Sequence, residues 1–170
     1  MDSKLVTIFG GSGFVGRQTV RALAKAGWRI RVAVRYPNMT FFLKPAGTVG
    51  QIAAIKCDVT DPDQVAAALA GADAVVNLAG ILFPRGQSFE DVHADGAGNV
   101  AEAAAKAGVK ALVHVSAIGA DSESHSHYAQ TKAMGEARVR AAFPAATILR
   151  PSIIFGADSA SRLMGLSSGT

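Results

Sequence analysis

The sequence predicts an α/β protein built on a doubly wound parallel sheet, and three observations carry that expectation. Short runs of β-forming residues recur at 5–9, 29–34, 49–55, 74–80, 111–116 and 146–150. Most are separated by amphipathic or alanine-rich stretches of helical spacing, the alternation that produces right-handed β–α–β crossovers and parallel pairing. The run Ala74-Val75-Val76-Asn77-Leu78-Ala79-Gly80 is almost wholly apolar rather than alternating, as expected of a strand covered on both faces. The strand order expected of such a chain is 3-2-1-4-5-6.

The first strand, Leu5 to Phe9, meets Gly10-Gly11-Ser12-Gly13-Phe14-Val15-Gly16, three glycines spaced Gly-x-x-Gly-x-x-Gly. A helix is predicted from Gly13 to Ala26, with Val15, Val20, Leu23 and Ala24 inward and Gly27 as its C′ residue. Gly10 permits a sharp exit from the strand, Gly13 lets a ligand approach the backbone, and Gly16 lets the helix lie close to the sheet. The free N–H groups at the helix start supply donors for an anion, so strand, turn and helix together suit a dinucleotide pyrophosphate.

The second strand ends at Val34-Arg35. An acidic residue there would hydrogen-bond an adenosine ribose hydroxyl, whereas Arg35 can pair with a 2′-phosphate and stack on adenine. That favours NADP(H), with NAD(H) possible, over a merely solvated arginine. Residues 37–50 read as a loop with an unassigned apolar patch, Phe41-Phe42-Leu43. After the third strand Asp58 is placed either to accept from an adenine amino group or to close a local turn. Asp61 is a candidate N-cap for a helix that starts at Pro62 and stops near Gly71. Asn77, Ala79 and Gly80 leave room for a ribose or adenine edge.

A long helix is predicted from Phe89 to Ala107, stopped by Gly108. Another begins at His127 or Tyr128 and runs to Phe143, where Pro144 breaks it. Gly10, Arg35, Asp58, Ala79 and Ser116 then all fall at carboxyl ends of strands, where ligands of such sheets gather. Ser116 with Tyr128 and Lys132 forms a second constellation. The last two stand four apart on one helical face, and an ammonium beside a phenol would lower its pKa toward the range useful for acid–base catalysis. Ser116 would hold a carbonyl oxygen while Tyr128 passes the proton.

Composition narrows the remaining classes. A chain of 170 residues that is 49% hydrophobic can bury a core as one domain. Seventeen basic against thirteen acidic residues give +4, but the basic residues are dispersed rather than clustered with aromatics, which argues against nucleic-acid binding. Cys57 is the single cysteine, which excludes an internal disulfide and suits a reducing cytoplasm. No apolar run reaches membrane-spanning length, so any membrane association would be peripheral or through a partner. His125 and His127 lack a third convergent ligand, and no metal is assigned.

The glycine turn, Asp58-Val59, Asn77-Leu78-Ala79-Gly80, Ser116, Tyr128-x-x-x-Lys132 and Arg150-Pro151-Ser152-Ile153-Ile154-Phe155-Gly156 together resemble the extended short-chain dehydrogenase/reductase superfamily, in order and over nearly the whole chain. The resemblance implies a Rossmann-type domain over 1–156, followed at 157–170 by the start of a largely absent substrate segment. It implies Ser116, Tyr128 and Lys132 as catalytic residues. Cofactor contacts would come from the turn, including Gly11, Ser12, Phe14 and Val15, then from Arg35, Asp58 and Val59, from Leu78, Ala79 and Gly80, and from Tyr128, Lys132, Pro151 and Ile154. The segments His114 to Asp121 and Phe143 to Pro151 look like the atypical branch containing a nucleotide-binding accessory subunit of respiratory complex I. That branch implies held NADP(H), complex I subunits as partners and little turnover; the alternative is an active reductase or nucleotide-sugar epimerase/dehydratase. One departure is His93, which stands where catalytic members carry a relay asparagine.

Overall fold

The computed structural model describes residues 4–156. The expected substrate-segment start at 157–170 lies outside the described residues. Six strands, β1 (Leu5–Phe9), β2 (Arg29–Val34), β3 (Ile52–Lys56), β4 (Ala74–Asn77), β5 (Ala111–Val115) and β6 (Thr147–Leu149), form one parallel sheet in the order β3-β2-β1-β4-β5-β6. This is the predicted order. The helices are α1 (Phe14–Lys25), α2 (Pro62–Leu69), α3 (Gly96–Lys106) and α4 (His127–Ala142).

Alternation of side chains across the strands divides the core between two faces. One face joins Val6, Ile8, Ile30 and Val32 to Val20 and Ala24 of α1. The other joins Phe9, Val75 and Leu112 to Val65 and Leu69 of α2, to Val100 and Ala104 of α3, and to Val139 of α4. Helix ends follow the local chemistry. The Asp61 carboxylate accepts from the N–H groups of Asp63 and Gln64 with Pro62 at the first turn, and the Ser126 hydroxyl accepts from the Ala129 N–H. Arg31 reaches from β2 to donate to the Ala68 and Ala70 carbonyls, which α2 leaves free at its C-terminus.

Four elements depart from expectation. β3 begins at Ile52 rather than Val49, because Gly50, at φ +79°, completes a turn closed by the Gln51 carboxamide, which accepts from the Thr48 N–H and donates to the Ala24 and Trp28 carbonyls. β4 ends at Asn77 because that side chain takes the Ala79 N–H, 3.1 Å away, out of the ladder. Residues 37–50 contain two 3-10 helices, Pro37–Met39 and Phe41–Ala46, and bury Leu43 against the α1 side of the core. The long helix is wound as a π-helix over Glu90–Asp95 before continuing as α3. Its π turn faces the candidate site.

Candidate functional site

The turn after β1 has the shape its glycines require. Gly10 adopts φ +74°, and a side chain there would sit 2.8 Å from the Leu78 backbone. At Gly16 a Cβ would lie 2.6 Å from Gly11 Cα, so only glycine lets α1 start this close to the turn. Gly13 is the N-cap, with extended backbone and no side-chain cap, which leaves the first N–H groups of α1 unclaimed by a capping side chain.

A cleft of about 520 Å³ opens beside this turn. Among the expected contact residues it is lined by Gly10, Ser12, Gly13, Arg35, Asp58, Val59, Leu78, Ala79 and Gly80. Gly11 instead lies buried against Val32. Phe14 and Val15 begin α1 and stay outside the lining. Asn77, expected to leave room for a ligand edge, is 1% exposed and faces inward, where its Nδ2 stands 3.2 Å from His114 Nδ1.

Several lining residues carried no clear signal in the sequence. Arg17 follows the last glycine directly. Its Nε donates to the Ser12 carbonyl at 3.1 Å and its guanidinium lies 4.1 Å from the centre of the Phe42 ring, so Phe42 of the unassigned apolar patch forms part of the cleft wall. Gln87, from the segment between β4 and the π turn, bridges Arg35 and Asp58. Arg35 Nη1 donates to Gln87 Oε1 at 2.7 Å, and Gln87 Nε2 donates to both Asp58 carboxylate oxygens at 2.9 Å. Burial acts to raise the Asp58 pKa, but the Thr60 N–H and hydroxyl, Gln87 and the nearby Arg35 hold it below the usual carboxylate value.

Ser116, Tyr128 and Lys132 lie outside that lining, at the junction of β5 and α4. The Ser116 N–H continues the ladder to the Leu149 carbonyl at 2.8 Å, and its side chain is buried near Glu136. Glu136, 3% exposed, receives two bonds from Arg150, at 2.8 and 2.7 Å, which tie the end of β6 to α4. Lys132 Nζ donates to the Val115 carbonyl at 2.9 Å, and burial lowers its pKa to about 8. The Tyr128 ring meets those of His93 and Phe89 edge-on, with centroids 5.1 and 5.7 Å away.

Burial raises the Tyr128 pKa, the opposite direction to the one expected from a neighbouring ammonium, and Lys132 Nζ donates to a backbone carbonyl. Pro151 accepts the Ile118 N–H at 3.0 Å, and Ile154 is largely exposed beyond it. Neither reaches the cleft lining.

His93 is held at both nitrogens. Nε2 lies 3.0 Å from the Ile81 N–H and therefore accepts, which puts the ring proton on Nδ1, 3.2 Å from the Thr131 hydroxyl. Burial, with the nearby Lys132 charge, depresses its pKa to about 4, so the ring is neutral at neutral pH and pins the segment after β4. Among the described residues no group of three or more His, Cys, Asp or Glu side chains could hold a metal, and no helix is long and apolar enough to cross a membrane.

Comparison with known proteins agrees with this geometry. The chain is 38% identical over 151 residues to the NADH-ubiquinone oxidoreductase 40 kDa subunit of Neurospora crassa, covering 88% of this chain and 40% of that protein. It is 35% identical over 156 residues to the mouse NADH dehydrogenase [ubiquinone] 1 alpha subcomplex subunit 9, covering 91% and 41%. It is 39% identical over 153 residues to a ceramide reductase of Caulobacter vibrioides, covering 89% and 47%. The chain thus spans less than half the length of these relatives. The fold is shared with Pen from Bacillus thuringiensis, at a TM-score of 0.75, 22% identity and coverage of 88% and 49%. It is shared also with WbmG of Bordetella bronchiseptica, solved with NAD, at 0.72, 22%, 88% and 53%. A protein-family profile described as NAD(P)H-binding matches residues 10–164. With its glycine turn, parallel sheet and short-chain dehydrogenase/reductase-like motifs, the chain belongs to the NAD(P)H-binding family.

Proposed function

We propose that this protein holds NADP(H) as a complex I accessory or assembly-type nucleotide-binding protein with little or no turnover, located peripherally at a membrane through its partner subunits. The observation that carries the cofactor preference is the pair of guanidinium groups, Arg17 and Arg35, lining the cleft beside the glycine turn, with an arginine where an NAD-preferring site has a carboxylate. The cleft fits the cofactor. A turn with room for no Cβ at Gly10 or Gly16 would receive the pyrophosphate, Arg35 a 2′-phosphate, and Asp58 with Val59 the adenine edge. When bound, the group would supply hydride chemistry, and the side chains lining the cleft would hold and orient it. Limited turnover is supported by the raised Tyr128 pKa, the Lys132–Val115 bond and the doubly held His93. Similarity to the fungal and mouse NADH dehydrogenase subunits supports complex I subunits as partners.

The test is thermal melting of cofactor-free protein with NADPH and with NADH. A ligand at a hundredfold its dissociation constant adds about 2.7 kcal/mol of stability. NADPH is expected to raise the transition more than NADH at equal concentration, and Arg35→Asp to weaken NADPH about tenfold or more with little effect on NADH. Two unmoved melting curves overturn the reading.

A second reading, an active NADP-dependent reductase or epimerase, is favoured by the gathering of Ser116, Tyr128 and Lys132 at one corner of the sheet and by the ceramide reductase relative. There Tyr128 would move the proton and Ser116 hold the carbonyl oxygen. A carbonyl and nucleotide-sugar panel tests it: turnover that Tyr128→Phe abolishes supports it, and turnover that survives the substitution excludes that mechanism.

A further inference from the structure

The groups assigned to the adenosine end of the ligand are already joined to each other through one side chain. The Gln87 carboxamide presents its N–H donor to the Asp58 carboxylate at 2.9 Å, as an amino group would. It presents its oxygen to Arg35 at 2.7 Å, as a phosphate oxygen would. Gln87 lines the same cleft as both partners. The segment that carries it is fastened at each end. The Ile81 N–H donates to His93, and at the far end the Ser88 N–H donates to Asp91 at 2.8 Å while the Asp91 N–H donates back to the Ser88 hydroxyl at 3.0 Å. Between the anchors residues 82–86 are exposed, and Gly86, directly before Gln87, stands at φ +77° with open space around it.

We propose that Gln87 is an internal competitor for the adenosine end of the cleft: its carboxamide closes across Arg35 and Asp58 and must leave before a 2′-phosphorylated adenosine can engage either. The inference rests on the NADP(H) reading. A binding-competent state populated for only a fraction of the time weakens apparent affinity by that fraction. Both ligand forms take Asp58 from Gln87, but a 2′-phosphate also takes Arg35, whereas a 2′-hydroxyl leaves the Arg35–Gln87 bond in place. Gln87 therefore narrows the preference for NADP(H) as well as weakening binding.

The experiment is calorimetric titration of the wild type, Gln87→Ala and Gln87→Met with NADPH, NADH and nicotinamide mononucleotide. Removing the bridge is expected to tighten NADPH about tenfold, the worth of roughly one net charged hydrogen bond, and NADH about threefold, with the mononucleotide unchanged. Gln87→Met keeps the length of the side chain without its hydrogen bonds and is expected to match the alanine variant. NADPH affinity that is unchanged or weaker in both variants overturns the competitor. A wild type that binds neither dinucleotide overturns the cofactor reading instead, so the two failures are distinct.

Discussion

Replacing Lys132 with methionine is expected to stabilise the cofactor-free protein at neutral pH, although it removes a residue assigned to the site. Lys132 is 4% exposed, and burial lowers its pKa from 10.5 to about 8. Keeping the ammonium charged at pH 7 in that environment costs about 3 kcal/mol, at roughly 1.4 kcal/mol per pH unit of the difference. Methionine restores the volume without the charge. It forfeits the bond to the Val115 carbonyl, about 1 kcal/mol, while the attraction to Glu136 is already contained in the lowered pKa. The net gain is about 1–2 kcal/mol, or roughly 2–8 °C in Tm for a chain of this size. The sign of the pH dependence is set by proton binding: between about 8 and 10.5 the unfolded wild type holds a proton that the native state has lost, so wild-type stability rises over that window and the gap to Lys132→Met closes. Circular-dichroism melts at pH 7 and pH 9.5 read both effects. A variant less stable than the wild type at pH 7, or a gap that does not narrow by pH 9.5, refutes the reasoning.

His93 and His114 both have pKa values lowered to about 4 by burial, so the unfolded chain takes up protons below pH 6.5 that the native state refuses. Stability is expected to fall as pH drops from 6.5 toward 4, and His93→Asn to remove up to about 3 kcal/mol of that fall in denaturant titrations; an unchanged acid limb refutes the His93 assignment. Gly16→Ala is expected to lower Tm and to abolish NADPH binding by calorimetry, because its Cβ overlaps Gly11 of the turn, whereas retained binding would mean that α1 need not lie so close.

The elements were largely legible in the sequence because they follow from periodicity and punctuation. Asp61-Pro62 opens α2, Gly27 and Gly108 take positive φ just beyond the helices they end, and the apolar run from Ala74 becomes a central strand. The glycine spacing placed the turn because Gly10 takes a positive φ and Gly16 packs on Gly11, although the Leu78 backbone that also excludes a side chain at Gly10 comes from a distant strand end. What tertiary structure decided was which polar groups meet across long separations. Nothing near residue 87 signals that its carboxamide will span Arg35 and Asp58, 52 and 29 positions away. Nor does Tyr-x-x-x-Lys spacing reveal that Lys132 Nζ donates to the Val115 carbonyl, or that burial raises the Tyr128 pKa. Helical spacing places two side chains on one face, but their protonation and partners depend on burial and on what β5 and the π turn present to them, and those exist only once the sheet has closed.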